Sequence, residues 1–333
     1  MRWDKGYTTE YYVTLIDPVS WVDIERIEIT GGSIDRSRDG LLESANIKIK
    51  RDIGERWVRL WMDAYQSGSA AHEPLFTGLT SVPERELNGL RESYTAECFS
   101  VLKPAEDMLL DRGYYAPAGM PIAEIIKKLL DYCPAPFIYN ESPPLVYSIV
   151  AESGESNLSM IKKMLKAAGQ RLRISGSGEI SLISEQDKEI AEFDATDFDI
   201  LEPNIKDKVN RFDCPNVFRA VINDAIAIAR DETGSPLSVD SRGREIWREE
   251  TGCNLKDGEL LSEYAKRRLK EEQALSRTLS YTRRYDPRVR PGDTVKIHYP
   301  ENRIDGFFSV GSQSIEIGRA AKTSETAIGT VAG

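Results

Sequence analysis

The side chains best suited to acid–base or metal chemistry are few in this chain and lie far apart. The 333 residues include two histidines, His72 and His298, although histidine is the usual general base and the commonest metal ligand. The cysteines are widely spaced and form no CxxC pair: Cys98, Cys133, Cys214 and Cys253. These spacings exclude an H-E-x-x-H zinc helix and disfavour a histidine-dependent triad. We therefore predict no catalytic residue, no metal site and no cofactor, and we expect the cysteines to be reduced core thiols.

Two other kinds of chemical site receive little support. Neither a G-x-x-x-x-G-K-[ST] phosphate loop nor a G-x-S-x-G nucleophile elbow occurs in the chain. Residues 175–178 (Ser-Gly-Ser-Gly) lie between two strand-like segments rather than before a helix, so we predict a tight hairpin and not a phosphate site. A pair of carboxylates for glycan cleavage is not excluded, because the 54 acidic residues offer many pairs, although no pair stands out.

Charge is distributed unevenly along the chain, whose formal net charge is −10. Residues 185–202 contain eight acids and one base, which is typical of a solvated linker, and we place a domain boundary there. Residues 266–290 contain nine bases and three acids, which fits either the solvated face of a helix or a docking surface. Four arginines of this stretch fall at a predicted strand end and turn, and these are candidate interface residues: Arg283, Arg284, Arg288 and Arg290.

Two classes of partner are disfavoured by the same composition. The net acidity argues against specific nucleic-acid binding, and few aromatic residues suited to base stacking lie near the basic stretch. No apolar stretch approaches the ~20 residues that span a bilayer, and the first residues lack the apolar core of a secretory signal. We expect neither membrane insertion nor export.

The elements that would position these residues begin with strands. Alternation of apolar and polar residues over 45–50 and 57–63, with a turn signal at 31–32, predicts several short strands over residues 1–101. Such a run of strands is typical of a β-barrel or sandwich. On the strand around residue 60, Trp57 and Trp61 share the more polar face, which makes them candidate contacts with a partner.

Residues 102–185 show helical periodicity and predict a small α+β domain. Apolar residues recur at helical spacing from 122 to 130, after Pro121 and before Pro134. A second helix is predicted over 157–168, with Ser156 as its N-cap and Gly169 just beyond its end. The hairpin at 171–183 completes the domain.

Residues 186–318 return to strands, with one helix at 260–275 for which Asp257 is a possible cap. Residues 319–333 are predicted to form a flexible tail. A strand, a polar loop and an aromatic-led strand follow in this order in both the first and the last domain, which is weak evidence for two related barrels. We therefore predict an α+β fold, mainly β, with two related β-barrel domains and a small α+β middle domain.

Five segments of the last domain follow one another in a distinctive order. They are a strand at 217–221, a helix at 261–269, an Asp-Pro-x-x-x-Pro-Gly-Asp turn at 286–293, a strand at 294–297 and Gly-Phe-Phe-Ser-Val at 306–310. This order resembles the baseplate hub proteins of bacteriophage tails and of related phage-derived contractile particles. The two helices and hairpin of 121–183 are also similar to the middle domain of such hubs.

The resemblance implies a homotrimeric structural protein with a central channel for DNA passage. In such hubs, two related barrels in each subunit let a threefold ring match the sixfold tail tube, and the other end holds the central spike. The implied partners are a tail tube or distal tail protein, a separate spike chain and other baseplate proteins. The implied protein is no enzyme, and it lies in the virion tail after assembly in the host cytoplasm. Beside the four arginines, the candidate interface residues are Trp57, Trp61, Phe307 and Phe308.

Two alternatives from other functional classes stay open at this point. A carboxylate-based cell-wall glycosidase would clear peptidoglycan and would lose activity when one pair of acids is changed. A tail-tip protein that binds glycans or receptors would use Trp57 and Trp61 and would lose binding in a Trp61→Ala variant.

Overall fold

The computed structural model describes residues 1–38, 41–88, 91–184, 189–194, 201–202, 204–253, 255, 258–275, 277–318 and 321–329. Strands dominate among these residues, as the sequence predicts. None of the described helices is long and apolar enough to cross a membrane. The chain divides into two compact units. Unit 1 contains Met1–Gln186, Arg283–Pro291 and Ser312–Ser324, and unit 2 contains Asp187–Thr282, Gly292–Gly311 and Glu325–Gly333. The division into three domains and the pair of related barrels stay predictions.

The main sheet of unit 1 is antiparallel. Its first seven strands are β1 (Thr8–Ile16), β2 (Asp23–Ser37), β3 (Ser44–Ile49), β4 (Trp57–Gln66), β5 (Ser69–Thr80), β6 (Glu84–Asn88) and β7 (Arg91–Ser100). Neighbouring strands follow the order β1-β4-β5-β7-β3-β2, and β1 also pairs with β2, so the pairings return to the first strand. The predicted alternation is confirmed, and the buried residues on β3 and β4 include Ala45, Ile47, Ile49, Val58, Leu60 and Met62.

Residues 102–184 of unit 1, which we call the helical region, have their own apolar core. Its elements are α1 (Lys103–Asp107), β8 (Tyr115–Ala116), α2 (Ile122–Leu129), β9 (Phe137–Ile138), β10 (Ile149–Val150), α3 (Asn157–Ala168), β11 (Gln170–Ile174) and β12 (Ile180–Ser184). Both predicted ends of α3 are confirmed. Ser156 Oγ accepts a hydrogen bond from the Ser159 N–H at 3.2 Å, and Gly169 ends the helix with a φ of 59°.

The predicted hairpin at 171–183 is confirmed, because β11 and β12 pair antiparallel. Its tip packs on β5, where Thr77 Oγ1 donates to the carbonyl of Gly176 at 2.7 Å. A Cβ at Gly176 would lie 1.6 Å from the carbonyl oxygen of Pro74, so no other residue fits this position without movement of the backbone. The glycine-rich stretch therefore serves close packing rather than phosphate binding.

Unit 2 contains most of the remaining elements. They are β13 (Glu189–Asp194), β14 (Lys206–Val209), β15 (Val217–Ile222), β16 (Ala225–Arg230), α4 (Val239–Arg242), β17 (Trp247–Thr251), α5 (Leu261–Ala274), β18 (Arg277–Arg284), β19 (Thr294–Tyr299), β20 (Ile304–Ile317) and β21 (Lys322–Gly329). Within this unit β13 runs parallel to β19, and β19 pairs antiparallel with β20. Three of these strands also contribute residues to unit 1: the end of β18 from Arg283, the end of β20 from Ser312 and the start of β21 up to Ser324. The end of β20 pairs antiparallel with β2 there.

A separate three-stranded sheet of unit 2, in the order β16-β15-β17, carries α5 on one face. The buried residues that join sheet and helix are alanines, aromatic residues and one leucine: Phe218, Ala220, Ala229, Tyr264, Ala265 and Leu269. At the start of α5 the Leu260 N–H donates to the carboxylate of Glu263 at 3.2 Å. The predicted cap, Asp257, lies outside the described residues.

Two predictions about irregular segments are wrong where the structure describes them. Part of the acidic block, Glu189–Asp194, is strand β13, with Phe193 buried and Glu192 Oε1 2.7 Å from Lys296 Nζ. Lys322–Gly329 form β21 instead of a tail, although residues 319–320 and 330–333 lie outside the described residues. Both segments alternate in burial, but charged or small side chains occupy most positions, so the period of two is not visible as an apolar pattern.

Candidate assembly surfaces

One histidine lies close to a carboxylate. His72 Nδ1 is 2.5 Å from Asp63 Oδ1, and the His72 ring stacks on Trp61 with centroids 4.2 Å apart. A histidine–aspartate pair can serve as a general base when a nucleophile or a metal lies beside it. Among the described residues, no three His, Cys, Asp or Glu side chains are grouped closely enough to hold a metal ion. The pair is part of a stack that also includes the buried Tyr12, so its geometry is that of packed side chains.

The two tryptophans of β4 do not form a shared open platform. Trp57 is half-buried against Trp21, with ring centroids 5.6 Å apart, and both rings pack on the core of the helical region. Trp61 donates its Nε1–H to Oγ1 of Thr14 at 3.0 Å and lies against His72. Sequence reasoning misses Trp21, because it lies in an irregular turn with a positive φ of 56°. An interface role for Trp57 and Trp61 stays a prediction.

The four candidate arginines differ in exposure. Arg283 and Arg290 are buried, with 1% and 8% of each residue exposed. Arg284 is half-buried. The side chain of Arg288 is 63% exposed, and its Nη2 lies 2.6 Å from Oδ2 of Asp286. An interface role stays a prediction, and of the four only Arg284 and Arg288 offer it an accessible side chain.

On α5, carboxylates balance the predicted basic stretch. Arg267 forms ion pairs with Glu259 at 2.8 Å and Glu271 at 2.9 Å, and Arg268 forms them with Glu250 at 3.0 Å and Glu271 at 2.6 Å. Ion pairs of this kind are typical of a solvated helix face. The structure therefore favours that interpretation over a basic docking surface for this part of residues 266–290.

Phe307 and Phe308 lie on opposite sides of β20, as strand alternation requires. Phe308 is 3% exposed, and the guanidinium carbon of Arg277 lies 5.7 Å from its ring centroid. Phe307 is half-buried and lines an open groove of about 700 Å³ in unit 2, together with Arg277 and Asp207. Phe307 is thus the member of the pair that a partner can reach.

The face of the β16-β15-β17 sheet opposite α5, which we call the open sheet face, carries exposed apolar side chains. Ile226 and Ile228 of β16 are 62% and 47% exposed, and Trp247 of β17 is 41% exposed. Arg219 of β15 lies over the Trp247 ring at 4.8 Å and forms an ion pair with Glu249 at 2.8 Å. Tryptophan and arginine beside apolar residues are typical of protein interfaces. Sequence reasoning misses this face because the alternating Ala-Ile-Ala-Ile-Ala run places the small alanines, not the isoleucines, against the helix.

A second exposed apolar surface, the ribbon surface, lies on the helical region of unit 1. Tyr115 of β8 and Val150 of β10 are cross-strand partners, and both are exposed. Val146 and Tyr147, which precede β10, are exposed as well. Apolar side chains grouped in this way commonly mark a surface that a partner covers.

No protein-family model and no curated protein sequence matches this chain. Its fold is nevertheless similar to solved structures. A tail protein from Neisseria meningitidis MC58 has a TM-score of 0.71 at 13% identity, covering 97% of this chain and 96% of that one. The 43 kDa tail protein of prophage MuSo2 from Shewanella oneidensis has a TM-score of 0.67 at 11% identity, covering 96% and 97%. An Escherichia coli component of the type VI secretion system, described as structurally similar to the T4 tail proteins gp27 and gp5, has a TM-score of 0.53 at 10% identity, covering 92% and 74%. The predicted resemblance to phage tail proteins is confirmed at the level of the fold.

Proposed function

We propose that this protein is the structural hub of a phage or phage-like tail baseplate. In this role three copies form a ring that connects the tail tube to the central spike and leaves a channel for DNA. The observation that carries the proposal is the fold likeness to the Neisseria and Shewanella tail proteins, which covers at least 96% of each chain compared. Likeness over nearly the whole chain supports a shared overall role more strongly than likeness of one module would.

The exposed apolar surfaces support a role in assembly. The open sheet face combines Ile226, Ile228 and Trp247 with Arg219, a composition that suits a permanent contact between subunits. We assign this face to the subunit contact of the trimer. The ribbon surface around Tyr115 and Val150 is then assigned to another baseplate component, such as the tail tube, a distal tail protein or the spike.

A non-enzymatic role is part of the proposal. The Asp63 carboxylate is hydrogen-bonded to the His72 ring, which stacks on Trp61. This arrangement supports a packing role for the pair rather than proton transfer. The two tryptophans of β4 contact different neighbours, Trp21 and His72, which does not favour a shared glycan platform. The place of action is the virion tail, after assembly in the host cytoplasm.

The oligomeric state tests the proposal most directly. Light scattering of the purified chain is expected to give three times the subunit mass of 37.4 kDa, and negative-stain images are expected to show threefold rings. Ile228→Asp, which places a charge on the open sheet face, should lower the trimer affinity at least tenfold. Val19→Asp is the matched control, because Val19 is 92% exposed in a loop of unit 1.

Other outcomes separate the alternatives. A monodisperse monomer at all concentrations, with no affinity for a tail tube or spike protein, would overturn the hub assignment. Clearing of purified peptidoglycan would favour the glycosidase instead. A trimer that survives Ile228→Asp unchanged would refute the assignment of the open sheet face alone.

A further inference from the structure

A threefold ring needs two different contact surfaces on each subunit. A single self-complementary patch joins two copies about a twofold axis, whereas in a ring of three one surface of each copy meets a different surface of the next. The open sheet face, which we assign to the subunit contact, therefore needs a complement elsewhere on the same chain. Size, apolar lining, position and charge together identify that complement.

The open groove beside Phe307 in unit 2, which we call the Phe307 groove, has a suitable size and lining. Its volume is about 700 Å³, and pockets of roughly 300–1,000 Å³ enclose groups larger than an indole ring. Its apolar lining includes Val209 of β14, Phe307 of β20 and Leu237 of the loop after β16. Val209 is 40% exposed and the other two residues are half-buried, so an apolar partner can reach all three.

The groove and the open sheet face lie on different sides of the β16-β15-β17 sheet. Helix α5 covers the side opposite Trp247, and its last turn contributes Gln273 and Ala274 to the groove. Gln273 is held in place, because its Nε2–H donates to Oδ2 of the buried Asp231 at 2.9 Å. Two surfaces on different sides of one unit can contact two different neighbours, as a closed ring requires.

The groove carries an excess of positive charge. Its described charged side chains are three arginines and two aspartates, which gives a net charge of +1. Asp207 pairs with Arg277 at 2.8 Å. Arg211 and Arg303 are exposed, and neither has a carboxylate partner in the described part of the chain. The groove thus offers two free guanidinium groups beside its apolar lining.

The open sheet face carries charges that suit this groove. Glu249 uses Oε2 for its ion pair with Arg219 at 2.8 Å, and its Oε1 has no partner among the residues that the structure describes. A carboxylate can accept from more than one guanidinium group, so Glu249 can also pair with an arginine of a neighbouring copy. The ribbon surface offers no such match, because residues 113–123 and 142–151 contain no charged residue. Charges buried against it would lose their solvation without gaining partners.

We propose, on the premise of the trimeric hub, that the open sheet face of one copy docks into the Phe307 groove of the next. The two isoleucines and Trp247 of the face cover the apolar lining of the groove, and Glu249 pairs with the free arginines. An apolar and aromatic centre with charged groups around it is typical of protein contacts. Three repeats of this contact close the ring and cover every copy of both surfaces.

Substitutions in the groove of the full chain test the proposal by sedimentation velocity. Val209→Asp places a charge in the apolar lining and should lower the trimer affinity at least tenfold. Arg303→Glu, at an exposed side chain, should have the same effect and serves as the test if Val209→Asp fails to fold. Val19→Asp, in an exposed loop of unit 1, is the matched control and should leave the trimer intact. A wild-type monomer would refute the hub itself, whereas a wild-type trimer that neither groove variant weakens would overturn only the groove contact.

A mixture of two defective variants tests which surfaces meet. Ile228→Asp keeps an intact groove and Val209→Asp keeps an intact open sheet face, so neither variant should assemble alone. Mixed at high concentration, they should form a dimer of one copy of each, at twice the subunit mass of 37.4 kDa. A dimer of Ile228→Asp with Val150→Asp, a variant of the ribbon surface, but not with Val209→Asp, would place the complement on the ribbon surface and overturn the proposal.

Discussion

Gly176→Ala isolates the contact between the hairpin tip and β5. The added methyl group would lie 1.6 Å from the carbonyl oxygen of Pro74, and backbone cannot move aside as a flexible side chain can. Since Gly176 is not among the glycines with positive φ, alanine introduces a steric clash without backbone strain. The hairpin tip must therefore withdraw from β5.

The cost of that withdrawal follows from the bonds that it breaks. The carbonyl of Gly176 accepts from Thr77 Oγ1 at 2.7 Å, and the carbonyl of Ser177 accepts from Trp21 Nε1 at 3.2 Å and from Arg59 Nη2 at 3.1 Å. A neutral hydrogen bond contributes about 1 kcal/mol net and one from a charged donor about 1.5 kcal/mol or more, so the free energy of unfolding should fall by about 3 to 4 kcal/mol.

Urea unfolding followed by tryptophan fluorescence measures this loss, because four of the five tryptophans lie in unit 1: Trp3, Trp21, Trp57 and Trp61. The matched control is Gly31→Ala, where an added Cβ meets nothing within 4 Å, and its unfolding free energy should stay within about 0.5 kcal/mol of wild type. If Gly176→Ala stays within the same limit as the control, the hairpin tip does not pack on β5 as described.

Three further outcomes are expected. Ser156→Ala removes the N-cap of α3 and should lower the free energy of unfolding, measured in urea, by about 1 kcal/mol. The control Ser67→Ala, at an exposed turn, should leave that free energy unchanged. Equal effects of the two substitutions would contradict the capping assignment. At Asp231 burial acts to raise the pKa, but hydrogen bonds from threonine, serine and glutamine side chains outweigh it and lower the pKa. The resulting stabilisation is present above the unfolded pKa of about 3.9 and is lost as the pH falls through the lower folded pKa. Asp231→Asn should therefore flatten the dependence of the melting temperature on pH between about 5 and 2. An unchanged slope would contradict this prediction. Burial raises the pKa of the Cys98 thiol to about 12, whereas Cys253 is half-buried. A maleimide at pH 7 should therefore label Cys253 before Cys98. Mass spectrometry that shows Cys98 labelled first would disprove this order.

Local physics explains which parts of the fold the sequence predicts well. The N-cap at Ser156, the left-handed Gly169 and the hairpin at 171–183 depend on residues that are neighbours in the chain. Alternation predicts β3 and β4 because their inward residues are apolar. Alternation does not predict β13 and β21, where inward positions include Ala191, Thr323 and Glu325. Small and polar residues at inward positions look like the residues of a linker, so the sequence shows no apolar period of two.

The candidate surfaces were harder to predict, because exposure depends on which elements pack against a strand. Trp57 and Phe308 are aromatic residues of half-polar strands, yet each contacts groups far away in the chain, such as Trp21 and Arg277. Arginine is usually exposed, yet the fold buries Arg290. The open sheet face around Ile228 reverses the usual expectation, because α5 packs against the alanines.

The sequence by itself determined the mainly β class, the two principal helices of the helical region, and the resemblance to phage tail hubs, because these depend on periodicity, end signals and the order of segments. Only the tertiary structure decided that the glycine-rich turn packs on β5 and that arginines from three distant segments, around 36–38, 171–173 and 290, line one cavity with Glu43. Spacing along a chain carries no information on which charges converge when strands far apart in sequence pair. The energy of a buried charge depends on those converging neighbours, so the electrostatic environment of Glu43 is decided only in the folded unit.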